Sequence, residues 1–132
     1  MKTILLNGAN LAFIGDAYYE LIIREHCLNK GMTNQKKLHS MCVKYVSAKA
    51  HAQIVKRMML ENFFSDNELS IYKRGRNHNY HSTRKNLDID EYCASSGFEA
   101  VIGYYYLEKD FQRLDEIIRF AIETIERQEK NE

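Results

Sequence analysis

No proline occurs anywhere in the 132 residues, and glycine is sparse. Apolar residues recur at three- and four-residue intervals along most of the chain, and no stretch alternates apolar and polar residues as a half-buried strand would. A chain without its strongest helix breaker and without strand periodicity is directed toward helices. The expected class is all-α, with about six helices in one domain spanning residues 1–132. Apolar residues make up 45% of the chain, enough to fill a single packed core.

The first helix is expected from about Ala9 to Lys30, closed by Gly31, since glycine readily takes the left-handed conformation that ends a helix. Thr33 is placed to cap a second through about Tyr45, and Ser47 a third that carries Ala52, Ile54, Val55, Met58 and Met59. Ser65 or Asp66 begins a fourth, ending near Gly75. Asn, His, Ser and Thr break the pattern from Arg76 to Leu87, which reads as a loop. A fifth helix runs from about Asp88 to Glu108, and a sixth from about Phe111 to Gln128.

No apolar run is long enough to span a membrane, and the first residues are too short on apolar character for a secretory signal. A cytoplasmic protein is the simplest expectation. Cys27, Cys42 and Cys93 are odd in number, widely spaced and not part of a CxxC, so they read as free thiols rather than a disulfide framework or a zinc site. His78 and His81 stand three apart in the loop, but no thiol or second histidine pair accompanies them.

The net charge of +1 says nothing about partners, but its distribution does. From His26 to Leu60 there is no acid, against Lys30, Lys36, Lys37, Lys44, Lys49, Lys56 and Arg57. From Lys73 to Leu87 there is again none, against Lys73, Arg74, Arg76, Arg84 and Lys85. The C-terminal segment is acid-rich. This asymmetry fits a face that meets a polyanion, and equally a solvated helix face.

Two helices carry a carboxylate in an unexpected place. On a helical wheel Leu11, Ile14, Ala17, Tyr18, Leu21 and Ile22 form one face of the first helix, while Phe13, Tyr19, Ile23 and Cys27 put apolar groups on its other sides. Asp16 sits within this wrap, one turn before Glu20. In the fifth helix Phe98, Ala100, Val101, Ile102, Tyr104, Tyr105, Tyr106 and Leu107 surround a single Glu99. An ionised carboxylate in such a setting needs a paired cation or a bound metal. Periodicity alone leaves both open: a structural pair with Arg24 or a lysine, or two carboxylates aimed at one cation. The same near-complete wrap suits a subunit interface.

The string Leu11-Ala12-Phe13-Ile14-Gly15-Asp16-Ala17-Tyr18-Tyr19-Glu20-Leu21 resembles the signature helix of the ribonuclease III family, centred on Gly-Asp-Ala. Gly97-Phe98-Glu99-Ala100-Val101-Ile102-Gly103-Tyr104-Tyr105-Tyr106-Leu107 is similar to the last catalytic helix of that family. The strings Val43 to Ala52, Tyr72-Lys73-Arg74-Gly75-Arg76-Asn77 and Thr83-Arg84-Lys85-Asn86 resemble the Mini-III branch, although Arg84 stands where that branch usually has proline. The resemblance covers roughly residues 10 to 118, and no separate double-stranded-RNA-binding domain follows. It implies a homodimer of helical domains, Mg²⁺-dependent hydrolysis of double-stranded RNA to 5′-phosphate products, and maturation of the large-subunit (23S) ribosomal RNA precursor. It also assigns Asp16 and Glu99 as catalytic and metal-binding residues.

Typical members carry two more acids, where this chain has Ala12 and Ser96. The Mini-III branch shares that reduction. It leaves two carboxylates, which suits Mg²⁺ because this ion retains waters and uses one or two protein carboxylates plus substrate phosphate. Duplex RNA is contacted mostly through phosphates and 2′-hydroxyls. The expected RNA-binding residues are Lys73, Arg74, Arg76, Asn77, Lys85 and Asn86, with Lys49 a weaker candidate. A dimer of this type that binds structured RNA without cutting it is the alternative expectation.

Overall fold

In a computed structural model, which describes residues 2–77 and 88–131, the described chain is helical throughout. A single 3-10 turn, Thr3–Leu5, precedes α1 (Gly8–Asn29), α2 (Gln35–Val46), α3 (Ala48–Leu60), α4 (Asp66–Arg76), α5 (Ile89–Glu108) and α6 (Phe111–Lys130). None of the described helices is long and apolar enough to cross a membrane. The expected loop from Arg76 to Leu87 falls mostly outside the described residues, as do His78 and His81.

Side chains at the helix starts explain most boundaries. Asn7, Ser47, Asp88 and Asp110 each accept a hydrogen bond from a first-turn backbone N–H of the helix that follows. Ser65 and Glu68 form a reciprocal capping box at the start of α4. The second helix is capped by Asn34 and not by Thr33, because the Asn34 side chain reaches the N–H of Lys37. Gly31 takes a φ of 87°, the left-handed conformation that terminates α1.

The fifth helix is the hub, packing on α1, α3, α4 and α6. Its closest neighbour is α1, and two glycines set how close. A methyl group at Gly15 would collide with the backbone carbonyl of Glu99, and one at Gly103 with the backbone carbonyl of Leu11. The two backbones therefore touch at the crossing. This turns the α1 face bearing Gly8, Leu11, Ala12, Gly15, Tyr19, Ile23 and Cys27 inward. Leu21 is 63% exposed and Phe13 81% exposed, because the crossing is centred on glycine and not on the bulkiest apolar stripe.

The α4 and α6 helices are locked by a buried ion pair. Arg113 donates to both Glu68 oxygens at 2.8 Å and to the Phe63 carbonyl at 2.9 Å, and the Tyr105 hydroxyl adds a further bond to Glu68. Burial alone would raise the Glu68 carboxyl. The Arg113 guanidinium, the Tyr105 hydroxyl and the Ser65 N–H outweigh it and hold the group below the ordinary carboxylate range.

Two glycine substitutions separate close approach from backbone conformation. Gly15→Ala should cost ~2 kcal/mol or more, since a rigid carbonyl must move. Gly31→Ala, with open space but a positive φ, should cost about 1 kcal/mol. Denaturant titration checks both, and a Gly15→Ala protein as stable as the parent would refute the backbone contact.

Candidate active site

The glycine crossing places the two sequence-predicted carboxylates together. Asp16 follows Gly15 on α1, and Glu99 is the residue whose backbone carbonyl Gly15 touches on α5. The Asp16 carboxyl lies close enough to act on Glu99, and so does Glu20, one turn further along α1. Asp16 is exposed and Glu99 half-buried, so the pair sits at the surface end of the crossing. Burial pushes the Glu99 carboxyl up, and the Asp16 carboxyl and Glu20 push it further, to about 9.

Among the described residues neither Asp16 nor Glu99 is ion-paired with a basic side chain. Arg24 pairs instead with Glu20 at 3.1 Å. Two acids are thus held near each other with no basic partner among the described residues. Among the described residues no cluster of three or more His, Cys, Asp or Glu is placed to enclose a metal. An all-oxygen pair open to solvent fits a hard cation that keeps waters and takes its remaining ligands from elsewhere. Ala12 and Ser96 are both buried, so no acid from these positions adds to the pair.

Beneath the pair lies a support that periodicity does not reveal. Tyr19, one turn after Asp16, meets Phe98 edge-on at 5.1 Å and His51 at 5.2 Å between ring centroids. His51 Nδ1 and the Ser95 hydroxyl are hydrogen-bonded at 2.7 Å, whereas His51 Nε2 and the Tyr19 hydroxyl are buried without partners. Burial pushes His51 down to about 3, which keeps it neutral and makes it packing material rather than a proton carrier near neutral pH. A buried histidine on the apolar face of α3 is the only sequence trace of this cluster.

The expected RNA-binding residues divide. Lys73 and Asn77 are exposed on the last turn of α4 and just beyond it. Arg76 lies over the Tyr72 ring, 5.8 Å from its centroid, and donates to the Asn77 side chain at 3.0 Å. The Arg74 guanidinium donates to the Leu6 carbonyl and ties the N-terminal turn to α4. Lys49 is exposed and borders a shallow cavity with Gln53 and Glu129. Lys85 and Asn86 lie outside the described residues.

Residues 9–110 match the Ribonuclease III domain family. The chain is 46% identical to the Mini-ribonuclease 3 of Streptococcus pneumoniae over 122 residues, covering 92% of this chain and 95% of that one. It is 42% identical to the Mini-ribonuclease 3 of Staphylococcus aureus, covering 92% and 90% respectively. A crystal structure of a Fusobacterium nucleatum protein superposes with a TM-score of 0.82 at 33% identity, covering 93% of this chain and 99% of that one.

The elevation of Glu99 has a definite sign in stability. An acid whose pKa rises on folding favours the fold while protonated. That contribution is complete below the ordinary 4.5 and is lost as pH climbs toward about 9. In cation-free buffer the protein should lose stability across this range, and Glu99→Gln should lose less. At pH 8 the variant should be the more stable by on the order of 1–3 kcal/mol. Coincident pH profiles of the two unfolding midpoints would show that neither burial nor Asp16 raises Glu99.

Proposed function

Because the chain belongs to the ribonuclease III family, and within it to the Mini-ribonuclease 3 group, we propose that it is a metal-dependent endoribonuclease acting on double-stranded RNA, with Asp16 and Glu99 as its catalytic residues. One observation carries the assignment: two carboxyls from helices far apart in sequence converge at the surface, with no basic side chain among the described residues to neutralise them. Mg²⁺ is the proposed cation, with Mn²⁺ able to replace it, held by Asp16 and Glu99. When bound, the cation supplies a water of lowered pKa and offsets charge developing on the phosphodiester. Asp16 faces solvent, where a substrate phosphate can reach it, while Glu99 is anchored deeper. The glycine contact and the Tyr19–Phe98–His51 cluster hold the two at a constant spacing, so little reorganisation accompanies the reaction. The products are 5′-phosphate and 3′-hydroxyl ends.

RNA is held along the last turn of α4 and beyond by Lys73, Arg76, Asn77, Lys85 and Asn86, with Lys49 as a further phosphate contact. Such binding is dominated by phosphate neutralisation and weakens with salt. Arg74 is a further proposed RNA contact, and its bond to the Leu6 carbonyl also fixes the N-terminal turn. The kinship with Mini-ribonuclease 3 proteins extends the proposal to a cytoplasmic role in maturing the large-subunit (23S) ribosomal RNA precursor.

The active form is proposed to be a homodimer. Phe13, Ala17 and Leu21 are spaced by four residues on α1 and all exposed, and Leu28 continues the stripe two turns on. Large exposed apolar side chains in one stripe mark an association surface.

Asp16→Asn and Glu99→Gln should each lower cleavage of long duplex RNA in Mg²⁺ by at least about 100-fold, the loss of a few kcal/mol of transition-state stabilisation. Helical circular dichroism should be unchanged. Parent-like rates in both variants would refute the assignment. Phe13→Glu alters a side chain that packs little within one chain, so the fold should survive while light scattering reports a monomer. A parent protein that is monomeric at tens of micromolar would contradict the dimer.

A further inference from the structure

Cys27 and Cys42 are far apart in an extended sequence reading, but the α1–α2 hairpin brings their sulfurs to 3.4 Å. Both are free thiols. This separation leaves roughly 1.4 Å to close against a bonded S–S distance of about 2.05 Å. Cys27 is fully buried on the inner face of α1, while Cys42 on α2 is half-buried and borders a cavity of about 380 Å³ between the two helices. Leu28, Leu38 and Val46 line that cavity, with Arg24 and His39 among its polar residues. Its volume falls within the range of small-molecule sites. The pair thus consists of one thiol that a small reagent can reach and one thiol behind it that the reagent cannot.

We propose that Cys27 and Cys42 form a reversible dithiol–disulfide couple, oxidised from the α1–α2 cavity by a low-molecular-weight disulfide. The Cys42 thiolate attacks one sulfur of the small disulfide, forming a mixed disulfide and expelling one small thiolate. The Cys27 thiolate then attacks the Cys42 sulfur and expels the second. Two electrons pass from the protein to the reagent, and the protons of the two cysteine thiols end on the two released small thiols. The order follows from burial. Desolvation, the contact with Cys42 and its charge push the Cys27 thiol up to about 12, which leaves the first attack to Cys42. The part due to Cys42 ends once Cys42 is in the mixed disulfide. The product clips α2 to the C-terminal half of α1, the helix whose N-terminal half carries Asp16.

The test uses the intact protein equilibrated with oxidised glutathione, then alkylated under denaturing conditions and mapped by mass spectrometry. The readout does not depend on nuclease activity. Two of the three thiols should resist alkylation, and one linked peptide pair should join Cys27 to Cys42 and vanish on reduction with dithiothreitol. Cys93→Ser should leave that link intact, and Cys42→Ser should abolish it. The proposal is overturned if Cys27 and Cys42 remain alkylatable. It is equally overturned if Cys42 stops as a glutathione adduct, or if the disulfides found involve Cys93 or join two chains.

Discussion

The contact between the backbones of α1 and α5 sets the geometry of everything built around it. Helices normally pack 8–10 Å apart because side chains lie between them. At Gly15 and Gly103 nothing lies between, and each missing Cβ is replaced by a carbonyl of the other helix. The approach brings the residue after one glycine and the residue four before the other into reach. Those residues are Asp16 and Glu99. A glycine in a helix interior destabilises that helix by roughly 0.5–1 kcal/mol, so two at one crossing make sense only if the closeness itself is needed.

The closeness carries an electrostatic strain. Burial first, and then the neighbouring Asp16 and Glu20 carboxyls, raise the proton affinity of Glu99. The remaining charges are satisfied in the opposite way. Glu68 is enclosed by Arg113, Tyr105 and Ser65. Against its own burial, Glu126 is held down to about 2 by Lys30, His26 and Tyr45. Those networks bind α4 to α6 and α6 to α1 and α2. These two structural acids are thus neutralised by the chain's own cations, whereas among the described residues Asp16 and Glu99 have no basic partner. That contrast is what supports the proposed site.

The all-α class, the six helices and most of their limits were legible, because amphipathic periodicity and side-chain caps are local signals. The choice of Asn34 over Thr33 was not, since both residues can cap and only geometry decides. Asp16 and Glu99 stood out as carboxylates in apolar helices, but their convergence could be read only through family resemblance. Gly15 and Gly103 were visible as interior glycines, an available clue to a close crossing. The orientation of α1 was not legible, because apolar residues surround it and a wheel cannot say which of two apolar faces meets a neighbour. The meeting of Cys27 with Cys42, and of Glu68 with Arg113, depends on how helices stack, which no periodicity encodes.

The proposed role of the Asp16–Glu99 pair is a socket for a divalent cation. Anomalous diffraction from crystals soaked in Mn²⁺ tests this most directly. The predicted result is a strong peak at Asp16 and Glu99, the residues that would hold the cation. Well-ordered, parallel carboxylates with no peak at saturating Mn²⁺, or a peak bound to other residues alone, would contradict it.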